Sequence, residues 1–279
     1  MNELETVIER LLETTKERYG PAAVERLELA LAPTSPLAPR DPWQKDAGFV
    51  FPGIPQTGWH DAGDLPIVER LELSWEVILS EMRGVVSSRQ GFQNYVAMGG
   101  DQSVIPSEWK AFYFKQGPRD CSANLQRCPR TAQLVTSSPR VADNVFFSAL
   151  NAGGAIAPHA AEWNCLLNVH LGLVVPDGCE IRVGSETRKW TQGKCLTFDA
   201  SFEHEVRNRS DSTRFVLFLD VWHPDLTDVE IECLEAFREA ARGNGLKRQA
   251  ETGSAHRNEL DGQVWWREYS NPSADSVPR

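Results

Sequence analysis

Between Cys165 and Trp222 the chain repeats one pattern, a strand-length segment followed by a turn signal, with no helix-length segment in between. "CLLNVHLGLVV" runs into "PDG", "CEIRVGSE" into "RKWTQG", and "KCLTFDA", "HEVRNRSDS" and "RFVLFLDVW" complete the series. Parallel strands need crossovers of a dozen or more residues, which these turns cannot supply. The segments must therefore pair antiparallel, as a sandwich or barrel. Two aromatic segments upstream, "WKAFYFKQG" and "NVFFSALNAGG", have the same β character.

Helical spacing marks both flanks. Leu4, Val7, Ile8, Leu11 and Leu12 recur on one helix face, and "PAAVERLELALA" resumes after a Gly-Pro break. The proline-rich stretch from Pro33 to Pro55 predicts extended chain, and a helix fits Leu65 to Met82 with Pro66 in its first turn. Past Trp222, Thr227 and Glu230 have the spacing of a capping box at the head of an amphipathic helix, and His223 is expected to cap its start. The chain thus divides into a helical and extended part packing on the core (1–100), a β domain with its C-terminal helix (101–243), and a polar tail expected to be loosely ordered (244–279).

A net charge of -10 over 279 residues argues against a nucleic-acid surface, which needs clustered cations. No apolar run reaches membrane-spanning length and the first residues read as charged helix, so a cytoplasmic protein without a membrane partner is expected. The six cysteines form no CxxC pair; Cys121 and Cys128 are close enough in sequence to bridge or to remain free thiols.

The β region holds three histidines, His159, His170 and His204. One buried imidazole is ordinarily a hydrogen-bonded core residue, whereas several on neighbouring strands suit a transition metal. Non-haem iron sites commonly add a carboxylate two residues after the first histidine, and here that residue is Ala161. Either a carboxylate comes from elsewhere, or the metal keeps two protein ligands. Glu162 would point to the opposite strand face. Arg214 heads "RFVLFLDVW"; a buried guanidinium needs a partner, either a protein carboxylate or the carboxylate of a ligand.

The run "GGAIAPHAAEWNCLLNVHLGLVVPDGCEIRVGSETRKWTQGKCLTFDASFEHEVRNRSDSTRFVLFLDVWHPDLT" resembles the catalytic domain of the aspartyl/asparaginyl β-hydroxylase family, and "GWHDAGDLP" looks like that family's upstream segment. The resemblance implies a mainly β fold with flanking helices, built on a double-stranded β-helix (jelly-roll, cupin-like) core, and an Fe(II)- and 2-oxoglutarate-dependent dioxygenase that uses O2. It implies His159 and His204 as the catalytic metal ligands, with Ala161 matching the family's missing carboxylate. It also implies Ser148 and Arg214 on the distal carboxylate of 2-oxoglutarate, His170 at its other end and Leu150 as a wall. Where animal members carry two substrate-binding arginines, this chain has Leu166 and Asn168. A small amino-acid-like, peptidyl or carrier-bound substrate is therefore expected in place of a folded acidic one, with Trp59 and His60 near the entrance. Hydroxylation is the leading outcome; halogenation, desaturation or cyclisation with the same cofactors, or a non-catalytic cupin-like metal-binding protein, are the alternatives.

Overall fold

The computed structural model describes residues 3–31, 41–44, 49–88, 90–95 and 108–252. Eleven strands are assigned: β1 (Trp59–His60), β2 (Gln93–Asn94), β3 (Trp109–Gln116), β4 (Val141–Leu150), β5 (Ala155–His159), β6 (Leu166–Val174), β7 (Cys179–Val183), β8 (Glu186–Arg188), β9 (Cys195–Asp199), β10 (His204–Asn208) and β11 (Arg214–Trp222). They form a seven-stranded sheet in the order β1-β9-β6-β11-β4-β3-β2 and a four-stranded sheet in the order β5-β10-β7-β8. All pairings within the two sheets are antiparallel. From β4 onward the chain passes repeatedly from one sheet to the other, the winding of a double-stranded β-helix that the resemblance implied; the short turns required only the antiparallel pairing.

Strand alternation decides what each face holds. On β6, Leu167, Val169, Leu171 and Leu173 join an outer core with Ile67, Leu71, Ile78 and Met82 of helices α3 (Pro66–Leu73) and α4 (Trp75–Ser87). On the inner face, Phe146, Phe198 and Phe218 pack against Ile181 and Val183 of the small sheet. Phe146 and Phe218 stack with centroids 4.5 Å apart. Each such side chain contributes about 1.5–3 kcal/mol on burial. A third cluster joins Val24 and Leu27, from the segment holding α2 (Glu25–Leu31), to Trp222, Leu226 and Leu234.

Two local devices hold the inner face in register. Asn208 donates from Nδ2 to the carbonyls of Leu150 (2.9 Å), Asn151 (3.0 Å) and Ser212 (2.8 Å), tying the end of β10 to the end of β4. Gly172 lets β6 lie against the loop before β9, where a Cβ would meet the Thr191 carbonyl oxygen at 2.5 Å.

The expected helix over 65–82 is two helices, because Ser74 adopts φ -108°, ψ 7° between α3 and α4. Between β3 and β4 lie α5 (Ser122–Arg127) and α6 (Pro129–Thr136). The Glu81 carboxylate of α4 accepts from the backbone N–H groups of Arg130 and Thr131, both at 2.9 Å, so α6 is capped by a distant element. The capping box forms as read: Thr227 N donates to Glu230 Oε2 (2.8 Å) and Glu230 N to Thr227 Oγ1 (3.2 Å). It opens α7 (Asp228–Thr252), which extends past residue 243; residues 253–279 of the expected tail lie outside the described residues. All six cysteines are free, Cys121 and Cys128 included. Among the described residues no helix is long and apolar enough to cross a membrane.

Candidate functional site

His159 ends β5 and His204 opens β10, and the antiparallel register sets them directly opposite each other. Their ring centroids lie 4.1 Å apart. Each ring's Nδ1 reaches the carbonyl two residues earlier, Ala157 O and Phe202 O respectively, both at 2.9 Å. A carbonyl only accepts, so Nδ1 carries the proton and Nε2 the lone pair, the tautomer a metal ligand needs. Burial lowers both pKa values, that of His204 to about 3 with the neighbouring His159 adding to the effect. Both rings are then neutral at pH 7. Ala161 packs on the inner core, its N–H bonding to Ala200 O at 2.7 Å, while Glu162 is exposed. Among the described residues no group of three His, Cys, Asp or Glu side chains is placed to hold a metal.

The large sheet supplies the other half. Arg214 pairs with Leu150 across β11 and β4, Val216 with Ser148, and Phe218 with His170 across β11 and β6. These registers line Ser148, His170 and Arg214 along one face. Arg214 is 1% exposed, its guanidinium lies 4.9 Å over the ring of Trp190, and its Nε has no hydrogen-bond partner. Burial pulls its pKa down to about 10. His170 is buried with both ring nitrogens unpartnered; burial first, then the charge of Arg214, holds it well below the usual imidazole range. Trp190 Nε1 is likewise unpartnered, and its ring stacks 6.0 Å from His170. Ser148 Oγ accepts from Trp109 Nε1 at 2.9 Å, which fixes the hydroxyl oxygen and leaves its proton to donate.

Four unpartnered polar atoms on three adjacent buried side chains are costly, about 1–3 kcal/mol each. Such a cluster is explained by a ligand that satisfies it. Cationic and N–H-bearing, it fits an anion.

Phe198 connects the halves, with ring centroids 5.3 Å from His204 and 5.1 Å from His170. Trp59 packs on Phe198 at 5.7 Å and carries the Arg188 guanidinium on its face at 4.4 Å, so it stands at the edge of the same interior. Asn168 faces inward and donates to Asp220 Oδ1 at 2.7 Å. Leu166, half-buried, packs at the end of the barrel against the cluster of Trp222 and Leu226. His60 is not brought to this interior. It follows Trp59 on the strand, turns to the opposite face and meets His223 edge-on at 5.2 Å. His223 Nδ1 accepts from Asp225 N at 3.2 Å, in the turn before α7, so the expected cap on the helix start is made by Thr227 and Glu230 instead. Trp109 and Trp190 escaped the sequence reading because an aromatic in a strand-like segment carries no mark separating a ligand contact from packing.

The family profile "Aspartyl/Asparaginyl beta-hydroxylase" matches residues 72–224. The human protein named "Aspartyl/asparaginyl beta-hydroxylase" is 33% identical over 203 residues, 70% of this chain and 26% of the human one. The chain therefore spans about a quarter of that relative's length. The "Ornithine lipid ester-linked acyl 2-hydroxylase" of Rhizobium tropici is 26% identical over 214 residues, covering 75% of this chain and 76% of that one. A solved oxidoreductase of the 2OG-Fe(II) oxygenase family from Burkholderia pseudomallei aligns with a TM-score of 0.39 at 15% identity, over 52% of this chain and 79% of the other.

Proposed function

Because the chain belongs to the aspartyl/asparaginyl β-hydroxylase family, we propose that it is an Fe(II)- and 2-oxoglutarate-dependent oxygenase that hydroxylates an aliphatic C–H of a small amino-acid-like, peptidyl or carrier-bound substrate. The observation that carries this reading is the pairing of two neutral, Nδ1-anchored histidines with a buried set of unpartnered donors around Arg214 and His170. One half matches a metal, the other an anionic cosubstrate.

The residues present fit both groups. His159 and His204 would hold Fe(II) through Nε2. Arg214 and Ser148 would hold the distal carboxylate of 2-oxoglutarate, with Leu150 beside them and His170 donating nearer the metal. Iron(II), 2-oxoglutarate and O2 together supply the oxidation of an unactivated C–H, with succinate and CO2 as coproducts.

The rest is the chain's own work. Arg214 and Ser148 sit on adjacent strands of one sheet, so the grip on the distal carboxylate is set before binding and fixes the direction of the cosubstrate. The stacking of Trp190 holds the guanidinium flat, which keeps the unpartnered Nε in a constant direction. Phe198, Phe218 and Trp190 surround His170 and exclude water from the space between the two halves. Ala161 leaves the metal face open where a carboxylate would close it. The relatives' names span aspartyl and asparaginyl groups on one side and an ester-linked acyl chain on the other; Leu166 and Asn168, lacking charge, favour a substrate unlike the acidic one.

The test is coproduct formation. Anaerobically iron-loaded protein given 2-oxoglutarate, O2 and a panel of amino acids, peptides and aminoacyl carriers should release succinate in a substrate-stimulated manner. Succinate no higher than that of a His159→Ala variant across the panel overturns the reading.

A further inference from the structure

The proposed chemistry leaves one buried acid of the inner face without a task. β11 turns Arg214, Val216, Phe218 and Asp220 inward in succession, so Asp220 lies beyond Phe218, at the end of the strand away from Arg214. Its partner on β6 is Asn168, and the partner of Asn168 on β9 is Phe198, the ring that touches His204. Asp220 is thus linked to His204 through Asn168 and Phe198, at the end of the inner face opposite Arg214.

Its surroundings are rich in acceptors. Asn168 spends an amide N–H on Asp220 Oδ1 at 2.7 Å. Asn144 of β4, 7% exposed, lies where its amide favours the charged forms of both Asp220 and the neighbouring Tyr95 hydroxyl, while its own Oδ1 has no hydrogen-bond partner. Turning that amide over would set two oxygens against each other, so the orphan acceptor is fixed by Asp220. Arg238 of α7 acts on Asp220 through space but also faces Asp143 at 4.0 Å, while lying over the rings of Trp163 and Trp222. Burial outweighs this help and lifts the Asp220 carboxyl to about 7. A buried carboxylate beside an orphan carbonyl oxygen asks for a cation with several N–H groups.

We propose that Asp220, together with Asn144 and Asn168, is the recognition subsite for a primary ammonium group of the substrate, with the oxidised carbon lying between this row and His159 and His204. The inference rests on the oxygenase reading for the position of the reacting carbon, but the binding preference does not. An ammonium supplies three donors, enough for the carboxylate and for Asn144 Oδ1, and the two charges neutralise each other out of water. The subsite has the opposite sign to one lined by arginines, and selects amines over carboxylates.

Three ligands of one shape, n-butylamine, n-butanol and butyrate, separate the possibilities. Saturation-transfer NMR on the metal-free protein should show butylamine binding at least tenfold more tightly than butanol. Asp220→Asn, checked for folding by its melting curve, should reduce the amine to the level of the alcohol. Asn168→Arg, which occupies Asp220 and adds a cation, should abolish the amine preference and admit butyrate. Equal binding of amine and alcohol, an unchanged preference in Asp220→Asn, or a retained preference in Asn168→Arg overturns the proposal. The same titrations with Mn(II) and 2-oxoglutarate under argon test the placement: butylamine protons should relax faster in the wild type than in His159→Ala. Equal relaxation in the two proteins removes the metal from this interior and sinks the oxygenase reading, while the amine preference stands or falls on the metal-free data.

Discussion

Replacing Arg214 by methionine should not harm the empty protein, although the side chain is among the most deeply buried in the molecule. Burial pulls its pKa from the ordinary guanidinium range down to about 10. At about 1.4 kcal/mol per unit, keeping the charge inside costs about 3 kcal/mol. Linkage gives the sign: the folded value lies below the unfolded one, so the penalty is full below pH 10 and fades as the pH rises above it. The contact with Trp190 at 4.9 Å returns about 1–2 kcal/mol. Methionine refills most of the volume without a charge. The balance places empty Arg214→Met between equal stability and about 2 kcal/mol more, a rise in melting temperature of up to roughly 6 °C. Binding of 2-oxoglutarate should move the other way, because losing a buried charged grip on a carboxylate costs about 2–5 kcal/mol, or at least about 30-fold in affinity. Calorimetric melts with and without 2-oxoglutarate, in Mn(II) under argon, read both effects. A variant that melts well below the wild type when empty, or that keeps the wild-type shift with 2-oxoglutarate, refutes the assignment of Arg214 as a site residue.

Three further outcomes concern the frame around the site. Gly172→Ala should cost at least about 2 kcal/mol in urea unfolding, because the new Cβ meets a backbone oxygen that cannot turn aside; an unchanged midpoint would show that the loop before β9 is free to move. Thr227→Ala should cost about 1 kcal/mol through loss of one capping bond, with Thr227→Ser restoring it. His223 is held to about 4 by burial and by neighbouring His60, so its neutral form favours the folded state above pH 6.5 and that contribution is lost as the pH falls through 4. His223→Gln should accordingly flatten the acid limb by about 2–3 kcal/mol between pH 7 and pH 4.5; a limb of unchanged steepness assigns the acid sensitivity elsewhere.

The antiparallel β core was legible because its evidence is local and repeated, with alternation on β7 and β10, aromatic runs on β3 and β11, and turns too short for crossovers; its winding as a double-stranded β-helix came from the resemblance. The break at Ser74 and helix α6 were not, since the cap of α6 is Glu81, a residue 49 positions away. His159 and His204 stood out by residue type, and the resemblance sorted His170 from them. His60 lies on the other face of its strand for a simple reason. A two-residue strand has no period of its own, so only its pairing with β9 decides that Trp59 faces inward and His60 outward. Trp190 and Asp220 gave no signal beyond that of any core aromatic or any acid near a strand end, because what distinguishes them is burial without full compensation.

The division of the interior between two sheets has a consequence for how such a protein can change over time. The imidazole pair is supplied wholly by the small sheet, while Ser148, His170 and Arg214 come wholly from the large one. Each half is positioned by its own hydrogen-bond ladder, so a lineage that loses one inherits the other intact. If the proposed roles hold, decay of the imidazoles would leave a carboxylate-binding scaffold and decay of the guanidinium a metal-binding one, each already folded and free to acquire a new occupation.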